Sequence, residues 1–264
     1  MQERHTNHRQ YFEELAISSQ KYFISYLQNF ISINSDTRVL EVGCGEGGNL
    51  FPFAQKSCTV VGIDPDTIKI ESARAIFEEK NLKATMIAAS FFDVPALDKG
   101  FDLILVHDVI EHITDKKAFF AHLKLFLNPN GLVFFGFPAW WMPFGGHQQI
   151  CSHKILSKLP FIHLLPQSIY RSLLRLGKES PSGIDELLDI KACKVSIESF
   201  AQLAKEANYE ILDRRLYFIN PHYEIKFGLH PRILSPIIAK IPYLRNFFCT
   251  SCFYILKNKP NRTV

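Results

Sequence analysis

The densest chemical signal is a run of glycines behind a short apolar stretch, Val39-Leu40-Glu41-Val42-Gly43-Cys44-Gly45-Glu46-Gly47-Gly48. Glycines let a chain turn sharply and let a ligand come close to the backbone. Gly43, Gly45 and Gly48 satisfy G-x-G-x-x-G, the fingerprint of dinucleotide-binding turns. Asp64 follows about 20 residues on, where a carboxylate accepts from both hydroxyls of a ribose. Both features fit any adenosine cofactor, so a nicotinamide oxidoreductase is an open reading. Glu41 argues for a different ligand. It stands two residues before the first glycine, where it would attract the cationic end of an amino-acid-like cofactor and repel a pyrophosphate. Asp93, in Ser90-Phe91-Phe92-Asp93, is placed to accept from an adenine amino group, with Phe92 beside the ring.

A second set of candidates lies further along. Phe137-Pro138-Ala139-Trp140-Trp141-Met142-Pro143-Phe144-Gly145-Gly146-His147 combines an apolar wall (Trp140, Trp141, Phe144) with a glycine pair that can turn His147 inward. An imidazole titrates near neutrality, which suits a general base; the plainer reading ties His147 to a backbone carbonyl. Glu111 and His112 are weaker candidates of the same kind. The spacing of His107, His112, His147 and His153 does not support a metal site, and none is expected. Cys249 and Cys252 have C-x-x-C spacing, but Phe247–Lys257 reads as a strand. An offset of three there sends the two thiols to opposite faces, so they read as ordinary cysteines.

These residues need a frame to hold them. Apolar runs at 38–42, 59–64, 84–90, 101–109 and 131–138 read as strands. Helical patterns at 49–56, 66–81 and 114–128 separate them, which predicts a parallel sheet covered on both faces. Residues 10–31 predict one or two helices before the first strand. After 138 the rhythm stops. Residues 139–193 show no strand pattern and predict a helical cap, broken by Pro160 and Pro166, over the carboxyl edge of the sheet. A helix from 196 and strands at 209–218 and 247–257 complete the chain, with a smaller insertion at 219–246. The whole reads as one domain of residues 1–264, with helices in 1–35 at its start.

In this order the motifs resemble those of the class I S-adenosylmethionine-dependent methyltransferases, and within them the small-molecule group that includes the ubiquinone and menaquinone methyltransferases. Leu40–Gly47 matches the glycine motif, Val60–Asp66 the ribose motif, and Phe101–Ile113 and Leu127–Pro138 the fourth and fifth strand motifs. The resemblance covers about 36–138 and, more loosely, 196–257. It implies an α/β, doubly wound, Rossmann-like sheet of seven mostly parallel strands with the last antiparallel. It implies S-adenosyl-L-methionine as cofactor and S-adenosyl-L-homocysteine as product. Glu41, Gly43, Cys44, Gly45 and Gly47 would hold the methionine end and Asp64 the ribose. Pro65 and Asp66 would flank the adenine, Phe92 and Asp93 would take it, and His107 and Asp108 would close the site above the sulfonium. His147 is the candidate base, and Trp140, Trp141, Phe144 and His112 are the candidate acceptor wall. The family has no obligatory catalytic residue. Positioning supplies much of the acceleration, and only a hydroxyl or amine acceptor needs its proton removed.

Composition bounds the partners. A chain of 264 residues with 47% hydrophobic residues is long enough to build a core without disulfides or structural metal. The net charge of +4 is too mild to point to nucleic acid, and none is expected. The opening residues lack the apolar segment of a secretory signal, which predicts a cytoplasmic protein with reduced thiols. Residues 151–178 carry five Lys/Arg and no acid, and 225–264 carry seven and none. Basic segments interleaved with aliphatic residues can touch an anionic membrane or cover a substrate. The expected function is therefore methyl transfer, most readily to oxygen, on a small-molecule or lipid- or sugar-linked acceptor. Rival readings are the oxidoreductase and a non-catalytic binding module.

Overall fold

The computed structural model describes residues 8–96 and 100–259. Within them an eight-stranded sheet has the order β3-β2-β1-β4-β5-β8-β6-β7. The strands are β1 (Arg38–Val42), β2 (Thr59–Asp64), β3 (Thr85–Ala88), β4 (Phe101–His107), β5 (Leu127–Phe137), β6 (Tyr209–Ile219), β7 (Arg232–Ile233) and β8 (Ser251–Asn258). Strands β1 to β5 pair in parallel. Strand β8 runs antiparallel between β5 and β6. The seven expected strands are present, and the eighth is the two-residue edge strand β7, paired with the end of β6.

The helices are α1 (His8–Ser18), which runs through a π-helical turn into α2 (Ile24–Leu27), then α3 (Phe51–Gln55), α4 (Thr67–Glu79), α5 (Lys116–Leu123), α6 (Gln167–Leu176), α7 (Pro181–Cys193), α8 (Ile197–Glu206), α9 (His222–Phe227), α10 (Pro236–Ala239) and α11 (Leu244–Phe248). Alternate residues of each central strand enter two separate cores, because strand side chains alternate faces. Leu40, Val42, Ile104, Val106, Val133 and Phe135 face α5 and α8. Val39, Leu103, Leu105, Leu132 and Phe134 face α1, α2 and α4. Local chemistry starts the helices. The Asp66 carboxylate accepts from Ile68 and Lys69 at the head of α4, Asp115 caps α5, and Ser196 and Ser199 form a reciprocal capping box on α8.

Residues 139–193 form three short 3₁₀ turns followed by α6 and α7, with a small core of their own that includes Tyr170, Leu174, Ile184 and Leu187. The ends of this segment meet, since the Trp140 N–H donates to the Val195 carbonyl at 2.9 Å. Residues 219–246 hold α9, β7 and α10, and leave the sheet at the same edge. Residues 1–7 of the expected N-terminal helical segment, and Arg262 of the basic C-terminal run, lie outside the described residues.

Two boundaries differ from the sequence expectation. The helix expected over 114–128 ends at Leu123, because β5 begins early, at Leu127. Its ladder with β4 is irregular beside Pro129, which has no N–H to donate. The strand expected over 247–257 begins only at Ser251. Helix α11 precedes it, anchored by the buried Asn246 amide, which donates to Glu198 and accepts from Ile197 N–H. Cys249 therefore lies in a bend rather than a strand, and strand alternation does not apply. Its Sγ sits 3.5 Å from that of Cys252, both thiols free and buried, instead of on the opposite face.

The glycine loop also receives α1. A Cβ on Gly48 would stand 2.5 Å from the Phe12 carbonyl oxygen and 2.7 Å from Leu15 Cβ. Gly48→Ala should therefore cost about 1–3 kcal/mol by overpacking and release α1. Urea unfolding with hydrogen exchange over 8–18 checks this, and wild-type stability and protection in the variant would refute the close approach.

Candidate active site

Six backbone and side-chain groups at the carboxyl ends of β1 and β2 set the geometry. Gly43 N–H and Cys44 N–H both donate to the Ile63 carbonyl, at 2.7 and 3.1 Å. Gly45 N–H donates to Asp64 Oδ2 at 2.8 Å, and Asp66 N–H to Asp64 Oδ1 at 2.9 Å. Gly43, Gly45 and Gly47 all have positive φ, a conformation that suits glycine. A cavity of about 480 Å³ opens over this turn. Gly43, Cys44, Gly45, Asp64, Pro65, Phe92, His107 and Asp108, all expected at the cofactor, line it. His112, expected on the acceptor wall, lines this cavity instead, because the 3₁₀ turn after β4 sets it over the glycine loop side. The Cys44 side chain itself turns away into the space left by Gly62, whose Cβ would stand 2.6 Å from its Sγ. His107 is seated in the same manner, over Gly136 and against the Phe23 ring.

Four expected cofactor residues lie elsewhere. Asp66 is occupied as the cap of α4. Gly47 faces Met86 and Phe77 on the core side, where a Cβ would meet them at 2.9 and 3.1 Å. Phe91–Asp93 form a 3₁₀ turn, whose side chains point three ways; Phe91 and Phe92 reach the cavity, while Asp93 points to water. Glu41 is fully buried behind Asn49, whose amide donates to Oε1 at 2.7 Å. Its Oε2 has no hydrogen-bond partner. Burial pushes its pKa up to about 8, against the pull of the Asn49 amide, with the Asp64 charge adding to the rise.

Tyr11, Glu46, Asn49 and Ser90 also line the cavity. Tyr11 arrives on α1, which the sequence marks only as an amphipathic helix. Glu46 and Asn49 sit within and just after the glycine loop. His8 reaches the buried Glu46 carboxylate at 2.6 Å.

A second cavity of about 200 Å³ adjoins the first, with Tyr11 and Asp108 in both walls. Met142, Phe144 and His147 line it from the 139–193 segment, and His222, Tyr223 and Lys226 from α9. Trp140 and Trp141 line neither cavity. The chain at 139–147 is tightly coiled, with Met142 N–H bonded to Ala139, Gly145 N–H to Met142 and His147 N–H to Phe144. Neighbouring side chains therefore diverge. Trp140 packs under His163, and Trp141 against Phe247 and Tyr243.

His147 has a left-handed backbone, φ 55°, and its Nε2 lies 3.8 Å from Glu111 Oε1. Its ring centroid is 5.2 Å from that of His112. Burial pushes the His147 pKa down to about 4; His112 adds to the fall and Asp108 opposes it. Glu111 is buried with both carboxylate oxygens lacking a hydrogen-bond partner. Burial raises its pKa well above the usual range, with Asp108 adding to the rise. Glu111, His112 and His147 each bring one ligand atom to within 4.8 Å of the others. The fold thus assembles a group that could hold a divalent cation, which the sequence spacing did not indicate. His107 and His153 are not members of it. These atoms would have to close to about 3.4 Å for a tetrahedral shell with bonds near 2.1 Å.

The residues fit an adenosine cofactor with a cationic amino-acid end. Gly45 leaves open room, with only Lys69 Cδ at 3.8 Å from where a Cβ would stand. Asp64 lines the cavity beside it, and the Glu41 oxygen without a partner lies behind Asn49, which also lines the cavity.

A methyltransferase-domain family model matches residues 33–174. The chain belongs to this family, the class I S-adenosylmethionine-dependent methyltransferases, and its cofactor is S-adenosylmethionine. Among curated relatives, the ubiquinone biosynthesis O-methyltransferase of Rhodopseudomonas palustris strain HaA2 is 31% identical over 103 residues, 39% of this chain and 40% of the relative. That of Bradyrhizobium sp. strain ORS 278 is 32% identical over 108 residues, 40% and 42% of the two chains. The match therefore spans about two-fifths of these relatives' length. Among solved structures, an S-adenosylmethionine-dependent methyltransferase from Clostridium acetobutylicum ATCC 824 superposes with a TM-score of 0.58 at 12% identity, covering 92% of each chain. Magnesium protoporphyrin IX methyltransferase from Synechocystis PCC 6803, with bound SAH, gives 0.54 at 13% identity, covering 92% of this chain and 84% of that one. These share the fold. Neither rival reading, oxidoreductase or binding module, gains support. Among the described residues no helix is long and apolar enough to cross a membrane.

The loop bearing His147 is braced by His163. Its Nε2 bonds the Trp140 carbonyl at 2.8 Å, and Gly146 packs where a Cβ would meet His163 Cβ at 2.2 Å. Burial pushes the His163 pKa down to about 4. Between about pH 6.5 and 4 the unfolded imidazole binds more proton than the folded one, so its contribution to stability is lost as pH falls through that window. The buried Glu41 and Glu111 act in the opposite sense, so a paired comparison is needed. From pH 7 to 4.5, the stability of the wild type relative to His163→Gln should fall by on the order of 1–3 kcal/mol. Urea midpoints of both proteins at the two pH values measure it; a constant difference contradicts the assignment.

Proposed function

We propose that the chain is an O-methyltransferase whose small-molecule acceptor, carrying a hydroxyl, sits in the smaller cavity with His147 as its proton acceptor. One observation carries the reading: His147 lines a cavity that joins the larger one at Tyr11 and Asp108. The names of the curated relatives, O-methyltransferases, support the choice of oxygen. When bound, S-adenosylmethionine supplies a methyl group on an electrophilic sulfonium.

The chain's own residues do the rest. The Gly43–Gly45 turn and Asp64 bind and orient, with the carboxylate placed for the ribose. Pro65, Phe91 and Phe92 offer apolar surface for the adenine. Met142 and Phe144 keep water from the acceptor. His147 is neutral at pH 7, as a proton acceptor must be. The cation it forms is favoured by the Asp108 charge.

Asp64→Ala should weaken S-adenosylmethionine binding by about 1.5–3 kcal/mol, the worth of charge-assisted hydrogen bonds. Calorimetry on the folded variant tests it, and wild-type affinity would remove Asp64 from the site. Acceptors can be found by incubating the protein and radiolabelled methyl donor with metabolite pools. On the acceptor so identified, His147→Ala should lower kcat by roughly 10²–10⁴-fold with cofactor affinity unchanged. Full turnover by this variant would leave the pocket assignment standing and end the role of base.

A further inference from the structure

We propose that a groove of about 560 Å³ between residues 151–158 and the end of α9 binds an anionic amphiphile, its charged group on Lys154 and Lys158 and its apolar chain on Tyr223, Phe227 and Leu229. The two walls differ in chemistry. Residues 151–158 supply two exposed lysines four residues apart, together with Ser152 and Ser157. The opposite wall is apolar, and it turns large side chains toward solvent: Phe227 is 55% and Leu229 48% exposed. The lining contains no acid. Glu179 borders it, but its carboxylate is taken by the Ser152 N–H and hydroxyl.

A plain anion would leave the apolar wall wet, and a neutral lipid would leave the lysines without a counter-charge. A ligand carrying both an anionic group and a hydrocarbon chain satisfies both walls. Burying the hydrocarbon chain takes apolar surface out of water, and covering Phe227 and Leu229 adds to this. The surrounding sequence has the same bias, since 151–178 and 225–259 contain no Asp or Glu.

The groove is also connected. Phe144, Gln149 and Tyr223 belong both to it and to the smaller cavity beside His147. A long molecule seated in the groove can extend into that cavity and present its far end there. This connection to catalysis rests on the function proposed above; the binding itself does not.

The test uses the full chain and dodecyl phosphate below its micelle concentration, titrated by calorimetry. Dodecyl phosphate should bind at least tenfold more tightly than dodecyltrimethylammonium of equal chain length, and at least tenfold more tightly than inorganic phosphate. Lys154→Ala/Lys158→Ala and, separately, Leu229→Ser should each weaken it fivefold or more, while S-adenosylmethionine affinity stays at the wild-type value. Equal binding of the two amphiphiles overturns the role of charge, and equal binding of inorganic phosphate overturns the role of the chain. Wild-type affinity in the double variant overturns the location. Sedimentation with phosphatidylglycerol vesicles forms a second arm: capture by vesicles without binding of the monomeric amphiphile replaces the groove with a bilayer contact. Failure of S-adenosylmethionine to bind at all would defeat the proposed function and leave the dodecyl phosphate result to be read on its own.

Discussion

The site depends on how the end of β1 is tied to the end of β2. The Ile63 carbonyl takes two N–H groups from the glycine loop, and the Asp64 carboxylate takes a third at Gly45. Buried peptide groups must be paired somewhere, and here they are paired to the neighbouring strand rather than to a continuing β1. The chain turns sharply as a result, and the loop backbone faces the open edge of the sheet. The same carboxylate that fixes the turn also lines the cavity. Close packing then follows on the far side. Gly48 admits the backbone of α1, and α1 carries Tyr11 over the cavity.

Two buried acids mark where the fold departs from what stability alone would select. An ionised carboxylate without partners is costly in the interior, and burial drives such a group toward its neutral form. Glu41 has one unpaired oxygen and Glu111 has two. Each sits directly behind a cavity, Glu41 behind the glycine loop and Glu111 behind His147. Groups of this kind are placed to be completed by a cationic neighbour. The group in contact with Glu41 is the Asn49 amide, which itself lines the larger cavity, and the group beside Glu111 is the His147 ring.

The two insertions serve the same edge. The 139–193 segment is closed at its base by the Trp140–Val195 hydrogen bond and rests on its own small core. It delivers Met142, Phe144 and His147, while α9 delivers His222, Tyr223 and Lys226 from the opposite side. The smaller cavity is therefore enclosed, over Tyr11 and Asp108, by two pieces of chain that the minimal sheet does not require. The larger cavity, by contrast, is lined mostly by the loops that follow β1, β2 and β4.

Sequence by itself determined the parallel sheet, because buried strands must be continuous apolar runs and the intervening helices must carry caps. It also brought Gly43, Cys44, Gly45, Asp64, Pro65, Phe92, His107 and Asp108 to one cavity, since each stands at or just beyond the carboxyl end of a strand, whereas His112, expected on the acceptor wall, joins them there. Local spacing failed where a side chain's direction depends on a turn. Asp93 is swung to water by a 3₁₀ turn, Trp140 and Trp141 by the coiling of 139–147, and Cys249 is brought beside Cys252 by the bend after α11. Tertiary structure alone decided the contacts between distant segments. Tyr11 meets Asp108 because α1 packs on Gly48, and Glu111 meets His147 because the insertion folds back over the end of β4. No periodicity in the chain encodes those meetings, which arise only when separate apolar faces are buried against one another.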